Sequence, residues 1–135
     1  MTDKPLTQSY PIAQSQKLSA LIIDDESDTC YLLSNILKQK NIQTVLAGSL
    51  TEAEKLLKTH PDFSIIFLDN RLPDGLGISY IHRFKKKFPA TSIIMISAHD
   101  SNFDRQFAKK SGADFFLGKP FSKESILRTI ENLQA

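Results

Sequence analysis

One cysteine among 135 residues rules out an internal disulfide and leaves no set of thiolates to hold a metal, a usage that fits the reducing cytoplasm. A dominant charge is missing too. The 17 basic and 15 acidic residues net to +2 and are spread along the chain, so no global field points to nucleic acid or to a membrane surface. No apolar run approaches the roughly 18 residues that a bilayer crossing needs, which predicts a soluble protein. The first 17 residues, MTDKPLTQSYPIAQSQK, have neither a basic start nor an apolar stretch of secretory type, and they read as a flexible leader. Beyond it there is no internal repeat and no low-complexity tract.

What is present is one domain's worth of alternating signals. The length suits a single domain, and 41% apolar residues suffice for one core. Short β-rich runs alternate with longer segments of helical period, the pattern of an α/β domain with a mostly parallel sheet. The runs are LSALII (18–23), IQTVLA (42–47), FSIIFL (63–68), SIIMI (92–96) and DFFL (114–117). Three are nearly continuously apolar, as strands covered on both faces are; IQTVLA mixes in polar residues and suits an edge.

Five helices follow from period and punctuation. Cys30, Leu33, Ile36 and Leu37 make the stripe of the first, where Cys30, with no base beside it, reads as a packing residue. Ser49 and Glu52 form a capping-box pattern for the second, with Ala53, Leu56 and Leu57 inward until Pro61. Ile81, Phe84 and Phe88 line a third that ends before Pro89. The fourth begins near Ser101, carries Phe103 and Phe107, and stops at Ser111-Gly112, where glycine takes the left-handed cap. Ser122 caps the last, whose buried side is Ile126, Leu127, Ile130 and Leu133.

Function is written at the strand ends, because ligands of open parallel sheets bind beyond the carboxyl ends of the strands. The first strand runs into Asp24, Asp25 and Glu26; the third ends in Asp69; the fourth ends in Ser97; Lys119-Pro120 follow the fifth. A fold that gathers these ends makes a pocket of carboxylates, one hydroxyl and one ammonium. Clustered carboxylates resist ionising together and imply a compensating cation. Oxygen-only ligands suit Mg²⁺ or Mn²⁺, and one carboxylate can then attack phosphorus while the metal and Lys119 neutralise the phosphoryl oxygens. Ser97 can donate a hydrogen bond to such an oxygen.

The stretches LIIDDE, FLDNRLPDGLG, IIMISA and DFFLGKPF, in this order and spacing, resemble the receiver domain of two-component response regulators over residues 18 to 135. That resemblance implies a doubly wound, flavodoxin-like α/β fold, a five-stranded parallel sheet of order 2-1-3-4-5 flanked by five helices. It implies that Asp69 is the phosphoacceptor and that Asp24, Asp25, Asp69 and the backbone carbonyl of Arg71 hold the metal, Asp24 through water. Ser97 and Lys119 match the switch hydroxyl and lysine, and Phe116 matches an aromatic that turns inward on phosphorylation. The Lys119–Pro120 bond matches one that is cis in the family and would aim Lys119 into the pocket. By the same resemblance, Arg71 and His99 match positions that tune the lifetime of the phosphoryl group. The implied partners are a sensor histidine kinase or phosphotransfer protein and a downstream protein docking on the face of helix 4, strand 5 and helix 5, in the cytoplasm, with no direct contact to nucleic acid or membrane.

Competing readings meet specific residues. Singly, Asp24 and Asp25 could open a helix, Asp69 and Asp74-Gly75 could sit in turns, and Lys119 could be solvated; their company at strand ends argues otherwise for the first three and Lys119. A phosphohydrolase of haloacid dehalogenase type also uses an aspartyl phosphate but needs an acid two positions on, where Arg71 stands and cannot serve. In a flavodoxin-type nucleotide site the loop after the first strand cradles phosphate, yet DDESD would repel it. Lys85, Lys86 and Lys87 read as the wet side of a helix end, and His60 and His82 as surface residues.

Overall fold

The computed structural model describes residues 18–134; the expected leader, Met1–Lys17, lies outside them. Five parallel strands form the sheet: β1 (Ser19–Ile23), β2 (Gln43–Ala47), β3 (Ile65–Asp69), β4 (Ser92–Ser97) and β5 (Phe115–Gly118), in the spatial order β2-β1-β3-β4-β5. This is the 2-1-3-4-5 order. Between them run α1 (Ser27–Lys38), α2 (Leu50–Thr59), α3 (Ile81–Lys87), α4 (Asn102–Ser111) and, after β5, α5 (Lys123–Gln134).

Strand alternation divides the core in two. Ala20, Ile22, Ile65, Phe67, Ile94 and Ile96 face α1 and α5, meeting Cys30, Leu33, Leu37, Ile126 and Ile130. Their neighbours Leu21, Ile23, Ile66, Leu68, Ile93 and Met95 face α2, α3 and α4, meeting Leu50, Ala53, Leu57, Ile81, Phe84 and Ala108. Each central strand is therefore apolar on both faces, the reason its sequence reads as a continuous run. The mixed run of β2 lies on one edge, as its polar residues require, and β5 lies on the other.

The helix ends are fixed as their sequences suggest. Ser49 Oγ accepts from the Glu52 amide, Glu52 Oε1 reaches back to the Gly48 amide, Ser101 Oγ accepts from Asp104, and Gly112 caps α4 at φ 116°. Ser122 Oγ likewise accepts from the Ser125 amide. Four side chains have surroundings that their sequence reading did not supply. Phe103 and Phe107 are 75% and 44% exposed and stack on each other at 6.3 Å, because only the face of α4 that carries Ala108 meets the sheet. Lys85 is not a free wet-side lysine: its ammonium binds the Thr91 carbonyl and Asp114, both at 2.9 Å. Asp74 does more than turn the chain. Its carboxylate accepts from the Leu50 and Thr51 amides and the Thr51 hydroxyl, capping α2 from 24 residues away and pinning the β3–α3 loop to it. Among the described residues no helix is long and apolar enough to cross a membrane.

Candidate functional site

Strand register carries the chemistry to one rim. Ile23 is level with Leu68, so Asp24 and Asp69 follow side by side; Asp69 pairs with Ile96, which places Ser97 next, and Ser97 pairs with Gly118, leaving Lys119 one step on. Asp24, Asp25 and Asp69 each offer a carboxylate oxygen within 4.8 Å of the others. Asp24 and Asp69 are buried, and Asp25 is exposed. The cleft over Asp25 and Asp69, about 220 Å³, is also lined by Glu26, Arg71, Ser97, His99 and Lys119. A larger groove, about 660 Å³, lies at the opposite ends of the strands against Leu18, Phe63 and Phe88. Convergent charge, rather than volume, marks the functional end.

Lys119 sits among the acids. Its Nζ is 2.6 Å from Glu26 Oε1, 2.8 Å from Asp24 Oδ2 and 3.4 Å from Asp69 Oδ2. The ammonium donates a hydrogen bond to Glu26, whereas its contact with Asp24 Oδ2 is a charge contact off the hydrogen-bonding direction, so this buried oxygen has no donor. Asp24 Oδ1 accepts from the Glu26 amide and Asp69 Oδ1 from the Asn70 amide, both at 2.8 Å. Burial, reinforced by the Asp24 charge and opposed by Lys119, lifts the Asp69 carboxyl from 3.8 to about 6. For Lys119 burial acts to lower the pKa, but contacts with Asp24 and Glu26 and the Asp69 charge outweigh it and hold the ammonium above its usual range. The contact with Lys119 in turn pulls Glu26 below its ordinary value.

One ammonium does not balance this cluster. Three carboxylates within reach of one another, a buried oxygen without a donor and an Asp69 that resists ionising all fit a hard divalent cation bound by oxygen. The loop after Asp69 is held tightly in place. The Gly77 amide bonds the Asn70 carbonyl and the Ile78 amide bonds Asn70 Oδ1, closing a two-residue hairpin of Arg71–Leu72 with Gly75–Leu76. A Cβ on Gly77 would run into the Asp69 carbonyl, so only glycine fits there.

Residues 20–131 match the response regulator receiver domain family. The chain belongs to that family. Protein PilG of Pseudomonas aeruginosa is 33% identical over 87% of this chain and 88% of its own length. Response regulator protein PilR of the same organism is 39% identical over 75% of this chain, which spans only 22% of PilR. Among solved structures, the beryllofluoride-activated NtrC4 receiver domain dimer shares 38% identity, with a TM-score of 0.80, over 85% of this chain and 94% of that one. Receiver domains are phosphoacceptor signalling modules that bind a divalent cation at an acidic cluster and work with histidine kinases or phosphotransfer partners, and this receiver has such a cluster.

Of the residues singled out in the sequence, the receiver fold brings Asp24, Asp25, Asp69, Arg71, Ser97, His99 and Lys119 to one cleft. Ser97 Oγ accepts from the His99 amide at 3.1 Å, and His99 itself is exposed at the rim. The Lys119–Pro120 peptide is cis. Phe116 lies apart from the cleft, half-buried on the edge strand β5 against the α2, α3 and α4 side of the core. Two roles escaped the sequence reading, although Glu26 itself was named there as part of the acidic run after the first strand. Glu26 is the hydrogen-bond partner of Lys119, and the acidic run DDE was its only signal; Arg105 stacks over Phe116, and no motif marks it.

Proposed function

We propose that this receiver domain stores a phosphoryl group on Asp69, delivered by a sensor histidine kinase or a phosphotransfer protein, and thereby switches a protein-binding face. The observation that carries the reading is the cluster of Asp24, Asp25 and Asp69 within 4.8 Å with Lys119 among them. Asp24, Asp25, Asp69 and the backbone carbonyl of Arg71 are the residues that would hold Mg²⁺ or Mn²⁺. When bound, the cation offsets the carboxylates and draws charge from the phosphoryl oxygens.

The remaining work belongs to the chain. The ionised Asp69 carboxylate attacks phosphorus, forming a carboxylate oxygen–phosphorus bond as the phosphorus–nitrogen bond to the donor histidine breaks. Lys119, kept charged by its acidic neighbours, balances the new oxygens. Ser97 donates a hydrogen bond to one of them, which draws the β4–α4 loop inward and vacates the space into which Phe116 turns. Arg71, exposed at the mouth, is no acid and leaves the acyl phosphate stored rather than turned over, so the domain acts as a switch and not as a hydrolase. Phe103 and Phe107 are exposed on α4, which favours a face that includes this helix, the face of α4, β5 and α5, for a downstream protein. The setting is cytoplasmic.

Intact-mass measurement after incubation with Mg²⁺ and acetyl phosphate tests the acceptor. The wild type should gain one phosphoryl group, and an Asp69→Asn variant that gained it as well would remove Asp69 from the reaction.

A further inference from the structure

An arginine on the second turn of a polar helix is ordinarily a solvated charge. Arg105 on α4 is only half exposed, and every part of its guanidinium is engaged. Its Nε donates to the Asp100 carbonyl at 3.3 Å, and its Nη2 meets Asp100 Oδ2 at the same distance. Toward the sheet, Nη1 donates to the Phe116 carbonyl at 3.4 Å, and the guanidinium carbon lies 4.9 Å from the centre of the Phe116 ring. One side chain thus joins the β4–α4 loop to β5. Asp100 lies three residues beyond Ser97, and Phe116 three before Lys119. The loop can lie this close to β5 because Gly118 has no side chain: a Cβ there would stand 2.7 Å from Asp100 Oδ2.

Building on the reading of Ser97 and Phe116 given above, we propose that Arg105 is a latch that bridges Asp100 and Phe116 and holds the receiver in its unphosphorylated arrangement. Both movements of the switch work against it. Drawing Ser97 toward a phosphoryl group moves the loop that carries Asp100, and turning Phe116 inward takes its ring from under the guanidinium. The cation–aromatic contact and the fork of hydrogen bonds are therefore present in one state and lost in the other, the differential contact that a two-state switch requires. Each contact is modest, since the hydrogen bonds are long and the ion pair is partly solvated. Acting together they bias the equilibrium by about three- to tenfold. Binding is reciprocal, so removing the latch tightens the binding of anything that favours the switched state.

The test titrates the full chain with beryllofluoride in the presence of Mg²⁺, followed by backbone amide resonances, for the wild type, Arg105→Met, Arg105→Lys, Phe116→Leu and the double variant Arg105→Met/Phe116→Leu. Arg105→Met should bind beryllofluoride about three- to tenfold more tightly than wild type, with Arg105→Lys between them because it keeps the charge and loses the fork. The gain from Arg105→Met should shrink when Phe116 is already leucine, since the two residues act through one contact. Before any beryllofluoride is added, the Asp100 and Phe116 amides of Arg105→Met should lie displaced along the line joining the free and bound wild-type positions. Unchanged or weaker binding in Arg105→Met, an equal effect in both Phe116 backgrounds, or displacement off that line would overturn the latch while leaving Asp69 as acceptor. A wild type that binds no beryllofluoride, or an Asp69→Ala variant that binds it equally well, would instead overturn the acceptor reading and the latch with it.

Discussion

Removing the charge of Asp69 should make the metal-free receiver more stable above neutral pH. Burial and the Asp24 charge raise the Asp69 carboxyl from 3.8 to about 6 despite the pull of Lys119, so the folded chain holds this proton more tightly than the unfolded chain. The stability linked to the group is therefore whole below the unfolded value, declines as pH rises through about 6, and stays reduced beyond it. Fully expressed, the penalty is about 3 kcal/mol at roughly 1.36 kcal/mol per pH unit. Solvent in the mouth of the cleft screens part of it, leaving about 1–2 kcal/mol. Asp69→Asn deletes the charge and keeps the shape. It costs Lys119 the most distant of its three partners, at 3.4 Å, while those at 2.6 and 2.8 Å remain, so the relieved repulsion outweighs the lost attraction. Urea denaturation without divalent cation should place the Asp69→Asn midpoint about 1 M above wild type near pH 8, with the two converging near pH 4. Adding Mg²⁺ should erase or reverse the difference, because the wild type binds the cation more tightly and gains more by mass action. An Asp69→Asn midpoint at or below wild type near pH 8, or a difference that does not change with pH, would refute the reasoning.

Other perturbations reach the framework around the site. Asp74→Ala should lower the thermal midpoint by uncapping α2. The Thr51 hydroxyl and the Leu50 and Thr51 amides depress the Asp74 carboxyl to about 2, so its contribution is present above the ordinary carboxylate value and lost as pH falls toward 2. The gap between variant and wild type should accordingly narrow below about pH 4, and a gap that held constant into acid would count against the cap. Lys85→Met keeps the stem over Gly112 and loses the bonds to Thr91 and Asp114, for an expected loss of about 1 kcal/mol in urea denaturation. No change in midpoint would return Lys85 to the status of a surface charge. Arg71→Ala should shorten the lifetime of phosphorylated Asp69 a few-fold, on the order of 1 kcal/mol of barrier, by opening the mouth of the cleft to water. Unchanged or slower loss of the phosphoryl group, followed by intact mass, would show that Arg71 does not shield it.

The acidic and basic residues of the cleft were legible in sequence because parallel strands place their carboxyl ends on one rim, so a residue just after an apolar run has a known destination. That logic covers Asp24, Asp69, Ser97 and Lys119. It puts Glu26 near the rim without its partner and does not reach Arg105 at all, since those partners lie 93 and 11 residues away and depend on side-chain direction. It also misses the role of Asp74, since an Asp-Gly pair announces a turn but not which helix end the carboxylate will meet across the fold. Phe103 and Phe107 show the same limit. Helical spacing puts them on one stripe, and only the placement of α4 against the sheet decides that the stripe is exposed.

The sequence by itself determined the order of strands and helices, the two-sided core and the identity of the groups on the rim, because periodicity and punctuation act over a few residues. Tertiary structure alone decided how charge is shared there. Three carboxylates surround one lysine closely enough to leave a buried oxygen of Asp24 without a donor and to keep Asp69 reluctant to ionise. Those facts depend on distances of a few ångströms between residues far apart in the chain, where Coulomb energies and desolvation change steeply, and no local pattern encodes them.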